Sequence, residues 1–150
     1  FRGNLTKTND TIKRKLKKWL NQYRMINDTI DILDANIVNI GISFTIVAEV
    51  EADKFTILRR AEEAVRRSFI SLSEISEPIN VAKIYSLLNQ VPGVSDTVDV
   101  TMENKVGSFY SSLPFDMEGS TSFDGRHLMA PENVVFEIKF LDSDIKGTIR

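Results

Sequence analysis

The sequence predicts an α+β fold: a small mixed sheet of at least three strands with two main helices packed on it, plus an N-terminal helix and a long loop. Two observations carry this. Apolar and polar residues alternate at three separate places, around Ile40, Val94 and Val134, with the period of a half-buried strand. Between the first two of these, apolar residues recur at helical spacing in two runs, one from Phe55 and one from Val81.

In the leading strand, Ile40, Ile42, Phe44, Ile46, Ala48 and Val50 are apolar, while Asn39, Gly41, Ser43, Thr45 and Glu49 are mostly polar. One face is expected to pack and the other to be wet. Asp53 stands where an N-cap belongs, ahead of about five helical turns whose apolar stripe is Phe55, Leu58, Ala61, Val65, Phe69 and Leu72. Leu58, Val65 and Phe69 are expected against Ile42, Phe44 and Ile46. Arg59, Arg60, Arg66 and Arg67 with Glu62 and Glu63 read as ion pairs three or four residues apart on the exposed side.

Glu77-Pro78 breaks the pattern, and Asn80 offers a second N-cap for a shorter stripe of Val81, Ile84, Leu87, Leu88 and Val91. Pro92-Gly93 ends it, with Gly93 expected at positive φ. Val94, Val98, Val100 and Met102 then alternate with Thr97, Asp99, Thr101 and Glu103 as a second strand. Val134, Phe136, Ile138 and Phe140 form the third, which follows Pro131 and is closed by a turn region from Asp142 to Gly147.

The chain divides into a basic N-terminal helix with its connector, residues 1–34, and the α+β domain, residues 35–150. The polar opening is expected to fray, with Asn9 or Asp10 capping a helix that starts near Thr11. Ile12, Leu16, Trp19, Leu20 and Tyr23 share one face of that helix, and Lys13, Arg14, Lys17 and Lys18 surround them. Residues 1–25 hold eight Lys/Arg against one acid, whereas the remainder holds eleven basic and twenty acidic residues. Such asymmetry marks either a nucleic-acid arm or complementary surfaces within one assembly. The helix itself reads either as a basic helix that grips phosphate or as a packing helix with a solvated flank; the second is preferred, because lysine stems can cover apolar neighbours and nothing else here resembles a nucleic-acid module.

From Asn104 to Pro131 no period persists. Glycines and five serines would suit a linker, yet Phe109, Tyr110, Leu113, Phe115, Met117, Phe123, Leu128 and Met129 bring too much apolar surface for one. A hidden hairpin is expected around Asp124-Gly125. Phe109, Tyr110, Phe115 and Phe123 are the candidate subunit interface, together with the strand edges beside them.

No catalytic constellation is visible, so an enzyme is not expected, and no cofactor or metal is assigned. Asp28, Asp31 and Asp34 lie three residues apart and do not match a calcium loop. His127 is the only histidine and the chain has no cysteine, which excludes disulfides and thiolate metal sites. There is no phosphate loop, GxGxxG or G-x-S-x-G. Composition is ordinary for a globular domain, with no membrane partner indicated. The three N-x-T sites at Asn4, Asn9 and Asn27 read as chance.

The segments "ADKFTILRRAEEAVRRSFISL" and "INVAKIYSLLNQVPGVSDTVDVTM" resemble the C-terminal region of the baseplate J-like proteins of contractile phage tails. Through "LNQYRMINDTIDILDANIVNIGISFTIV" and "PENVVFEIKFLDSDIKGTIR" the chain is similar to the large baseplate wedge subunits of T-even type phages, and the likeness spans most of it. Glu77-Pro78 departs from the general J-like pattern, which carries a glycine ahead of the second helix. The resemblance implies a C-terminal fragment of a structural virion protein. Such a protein, assembled in the host cytoplasm, would form at least a homodimer, bind other wedge proteins and help build the baseplate ring of the viral tail. The alternative is a nucleic-acid-binding module using the basic helix; an enzyme acting through His127 or a carboxylate is the third reading.

Overall fold

A computed structural model describes residues 4–51, 53–70 and 74–150. Its centre is β1 (Asn36–Ala48), which pairs on one side, antiparallel, with β3 (Val94–Asn104). On its other side β1 is paired twice, both times parallel: its start with β5 (Val134–Glu137) and its later half with β6 (Ile145–Ile149). β5 and β6 thus act as one interrupted strand, with the intervening residues looped out of line. The fold is α+β, with three helices, a mixed four-stranded sheet and a small second sheet in which β2 (Ile79–Asn80) pairs with β4 (His127–Leu128).

The fourth strand, β6, lies where the sequence predicted a turn. Ile145 and Ile149 alternate correctly, but Gly147 occupies the core position between them, and the Asp-Ser-Asp run ahead reads as a turn. A Cβ on Gly147 would sit 2.6 Å from Leu58 Cδ1 and 2.7 Å from Phe44 Cζ, so the strand passes under helix α2 (Lys54–Phe69) only because this residue has no side chain.

Helix α2 starts at the expected cap, with Asp53 accepting from the Phe55 N–H. Its buried residues are Ile57, Ala61, Val65 and Phe69, with Leu58 partly buried, and they join Ile40, Ile42, Phe44 and Ile46 in one core. Phe55 is exposed instead, because it lies about 100° round the helix from the centre of that stripe. Leu72 falls outside the described residues. Arg66–Glu62 and Arg67–Glu63 are the expected i,i+4 pairs.

Helix α3 (Val81–Asn89) is capped by Asn80, whose side chain accepts from the Lys83 N–H, and buries Val81, Ile84 and Leu88. Gly93 follows at φ 92°, as expected.

Three strand readings need correction. The third strand ends at Glu137, so Ile138 and Phe140 lie beyond it, where the chain loops out ahead of β6. Val50 is exposed because β1 ends at Ala48. Val98 is half-exposed because the β1–β3 register pairs Thr45 with Asp99 and then Ile46 with Thr97, leaving Val98 as the extra residue of a bulge. Burial along β3 therefore falls on Val94, Thr97 and Val100. The first half of β1 is buried on both faces, Asn39 and Gly41 included, so the wet face begins only at Ser43.

Candidate interaction surfaces

The long loop from Asn104 to Pro131 is what covers that second face. Asn39, at a position expected to be wet, is the hub. Its Oδ1 accepts from the Ser111 N–H at 2.6 Å, and its Nδ2 donates to Glu137 Oε2 at 2.7 Å. The Asn39 carbonyl accepts from Lys105 N–H and Asn104 Nδ2. Glu137 Oε1 in turn accepts from the Leu5 N–H, which ties down part of the opening that the sequence predicts to fray. Both side chains are buried, and among the described residues no buried side-chain polar atom lacks a partner.

Further along, the Tyr110 hydroxyl donates to Asp144 Oδ1 and the Phe115 N–H donates to Asn104 Oδ1. The expected hairpin around Asp124-Gly125 forms: Gly125, at φ 68°, donates its N–H to the Ser122 carbonyl, Thr121 bridges Leu128, and β4 continues onto β2. The loop is thus ordered by hydrogen bonds at both ends and in its middle.

The four aromatic residues of the candidate interface separate into two pairs. Tyr110 is half-buried, edge-on to Phe140 at 5.7 Å, and Phe115 is half-buried, edge-on to Phe136 at 5.3 Å. Both are spent on the fold. Phe109 is 73% exposed and Phe123, at the hairpin turn, is fully exposed. β3 is an edge strand, paired among the described residues with β1 alone; Tyr85 caps part of that edge by accepting the Val100 N–H on its hydroxyl.

A second surface belongs to α1 (Asp10–Leu20), which Asn9 caps by accepting from the Thr11 N–H. None of its residues is buried. It meets the connector with its charged flank: Lys13 Nζ lies 2.6 Å from Asp34 Oδ2, and Lys17 Nζ lies 3.0 Å from Asp31 Oδ1. The hydrogen bond from Lys13 holds the Asp34 carboxyl below its ordinary range. Of the three spaced aspartates, Asp31 and Asp34 are therefore partners of α1, while Asp28 accepts from the Met25 N–H, and among the described residues no group of acidic or His residues could hold a metal. The face expected to pack does not: Ile12, Leu16 and Trp19 are 58%, 44% and 54% exposed, Tyr23 just past the helix is 72% exposed, and only Leu20 of that face is half-buried.

His127 is partly buried in β4, with its backbone engaged by Ser122. A cleft of about 450 Å³ opens beside Leu5, Tyr110 and Ser111, but Asn39 and Glu137 in its wall are hydrogen-bonded to one another. No helix among the described residues is long and apolar enough to cross a membrane. No protein-family model matches the chain, and no curated protein matches it significantly.

Proposed function

We propose that this chain is a structural subunit of a phage contractile-tail baseplate wedge, acting in the virion by dimerising and by binding other wedge proteins as the ring assembles. The observation that carries this reading is the pairing of a firmly held loop with two outward rings. Tyr110, Asn39 and Phe115 fix the loop, while Phe109 and Phe123 project from it. A surface ordered before contact loses little entropy on docking, which suits a building element. The resemblance of the strand, helix and Gly-Val turn segments to baseplate wedge subunits supports the same reading.

Magnitudes set the affinity. Two exposed rings per copy bury on the order of 600 to 1,000 Å² across a twofold contact, short of the roughly 1,200 Å² at which stable interfaces begin. Contact must extend to the open parts of the β3 edge, and micromolar self-association is expected from this fragment alone.

The nucleic-acid alternative is weaker, because Lys13 and Lys17 already face Asp34 and Asp31. Baseplates detached from purified tails of the encoding phage test the proposal. Peptides of this chain should be recovered from them by mass spectrometry in stoichiometric amount, and their absence contradicts it.

A further inference from the structure

We infer that the outward face of α1 is a docking surface for an amphipathic helix of another protein, one whose apolar stripe is bordered on one side by carboxylates. This goes beyond the proposed function and concerns a different segment from Phe109 and Phe123.

The inference starts from orientation. An amphipathic helix normally turns its apolar face to its own domain, but α1 is fastened by Lys13 to Asp34 and by Lys17 to Asp31, which leaves the stripe Ile12, Leu16, Trp19 and Tyr23 in water. Within the helix the stripe from Ile12 to Trp19 is about 10 Å long at 1.5 Å per residue, two turns, and the Tyr23 ring, just past the helix end, lies tilted against Trp19 at 5.0 Å and extends it. Met25 and Ile26, just beyond the helix, are also exposed.

Charge then selects the occupant. At about 100° per residue, Lys13 and Lys17 follow one border of the stripe while Lys15 and Lys18 follow the other. The first border is neutralised by the connector. Lys15 and Lys18 are exposed and have no carboxylate partner among the described residues. A second copy of α1 would bring lysines against lysines, so charge disfavours self-pairing. A helix with an apolar row and Asp or Glu along the facing border satisfies both the stripe and the charge.

Trp19 is the only tryptophan in the chain, so its emission reports directly on this face. The full chain is titrated with two synthetic helical peptides carrying the same leucine stripe, one bordered by Glu and one by Lys, and separately with vesicles of phosphatidylcholine and phosphatidylserine. A saturable blue shift is expected with the Glu-bordered peptide, at about tenfold tighter affinity than with the Lys-bordered one. The K15E/K18E variant changes only exposed side chains and should reverse that preference. No shift with the Glu-bordered peptide overturns the proposal. Equal affinity for both peptides does so too, as does a shift seen only with vesicles. A peptide-independent shift that grows with protein concentration and disappears in Leu16→Asp would assign the face to a second copy instead.

Discussion

Tyr110 donates its hydroxyl proton to Asp144 Oδ1 at 2.7 Å, tying the long loop to the residue where β5 and β6 are interrupted. Asp144 is buried; its other carboxylate oxygen accepts from the Phe140 N–H, and its carbonyl accepts from Ile42 in β1. One carboxylate therefore shapes the outlooped turn while also anchoring the loop that presents Phe109.

The contact makes the acidity of Tyr110 a stability variable. The hydrogen bond to Asp144, then burial, then the charge of that carboxylate raise its pKa above the ordinary 10.0. A raised folded value means the stabilisation is fully present below about pH 10 and is lost as pH rises through the folded pKa. Tyr110→Phe should cost about 1 kcal/mol at pH 8. The gap in urea midpoint between wild type and variant should close toward pH 11 or above. A gap independent of pH would mean that the bond does not contribute as described.

Gly147 offers a test of packing. A methyl group there meets Leu58 and the buried Phe44 ring at distances real Cβ atoms do not adopt, so Gly147→Ala should destabilise by about 1 to 3 kcal/mol. Trimming the neighbour in a Gly147→Ala/Leu58→Ala double variant should return part of that loss relative to Leu58→Ala alone. Strict additivity of the two denaturation free energies would place the clash elsewhere.

The seating of α1 depends on Asp34. Its pKa is depressed below the ordinary 3.8, first by the hydrogen bond from Lys13, so the stabilisation is present above 3.8 and lost as pH falls through the lower folded value. Asp34→Asn should speed amide hydrogen exchange throughout Asp10–Leu20 while leaving exchange in β1 unchanged. Unaltered exchange in α1 would show that other contacts hold it.

What was legible in the sequence was what periodicity carries. The stripe of Ala61, Val65 and Phe69, the caps at Asp53 and Asn80, and the positive φ at Gly93 follow from spacing and local sterics. What was hidden depended on partners distant in sequence. Asn39 looks like a solvent-facing strand residue until Ser111 and Glu137 cover it, and Gly147 looks like a turn residue until Leu58 and Phe44 lie over it. Val98 fits its alternation perfectly and is displaced by a bulge that no local pattern announces.

The interaction surfaces were half legible for the same reason. An apolar loop or stripe in sequence says that surface must be covered, without saying by what. Tyr110 and Phe115 are covered by their own domain; Phe109 and Phe123 are not. The charge imbalance near the start was visible, but the cross-pairing of Lys13 with Asp34 and Lys17 with Asp31 required the connector to fold back on α1.

Sedimentation equilibrium tests the central claim, that the firmly held loop presents Phe109 and Phe123 for self-association. Phe109→Ser/Phe123→Ser is the variant of choice, because Tyr110 and Phe115 support the fold and their replacement would confound the result. The unaltered chain should be in monomer–dimer equilibrium at micromolar concentration, and the double variant should be monomeric with an unchanged urea midpoint. A monomer throughout the high-micromolar range, or a dimer indifferent to both substitutions, contradicts the account.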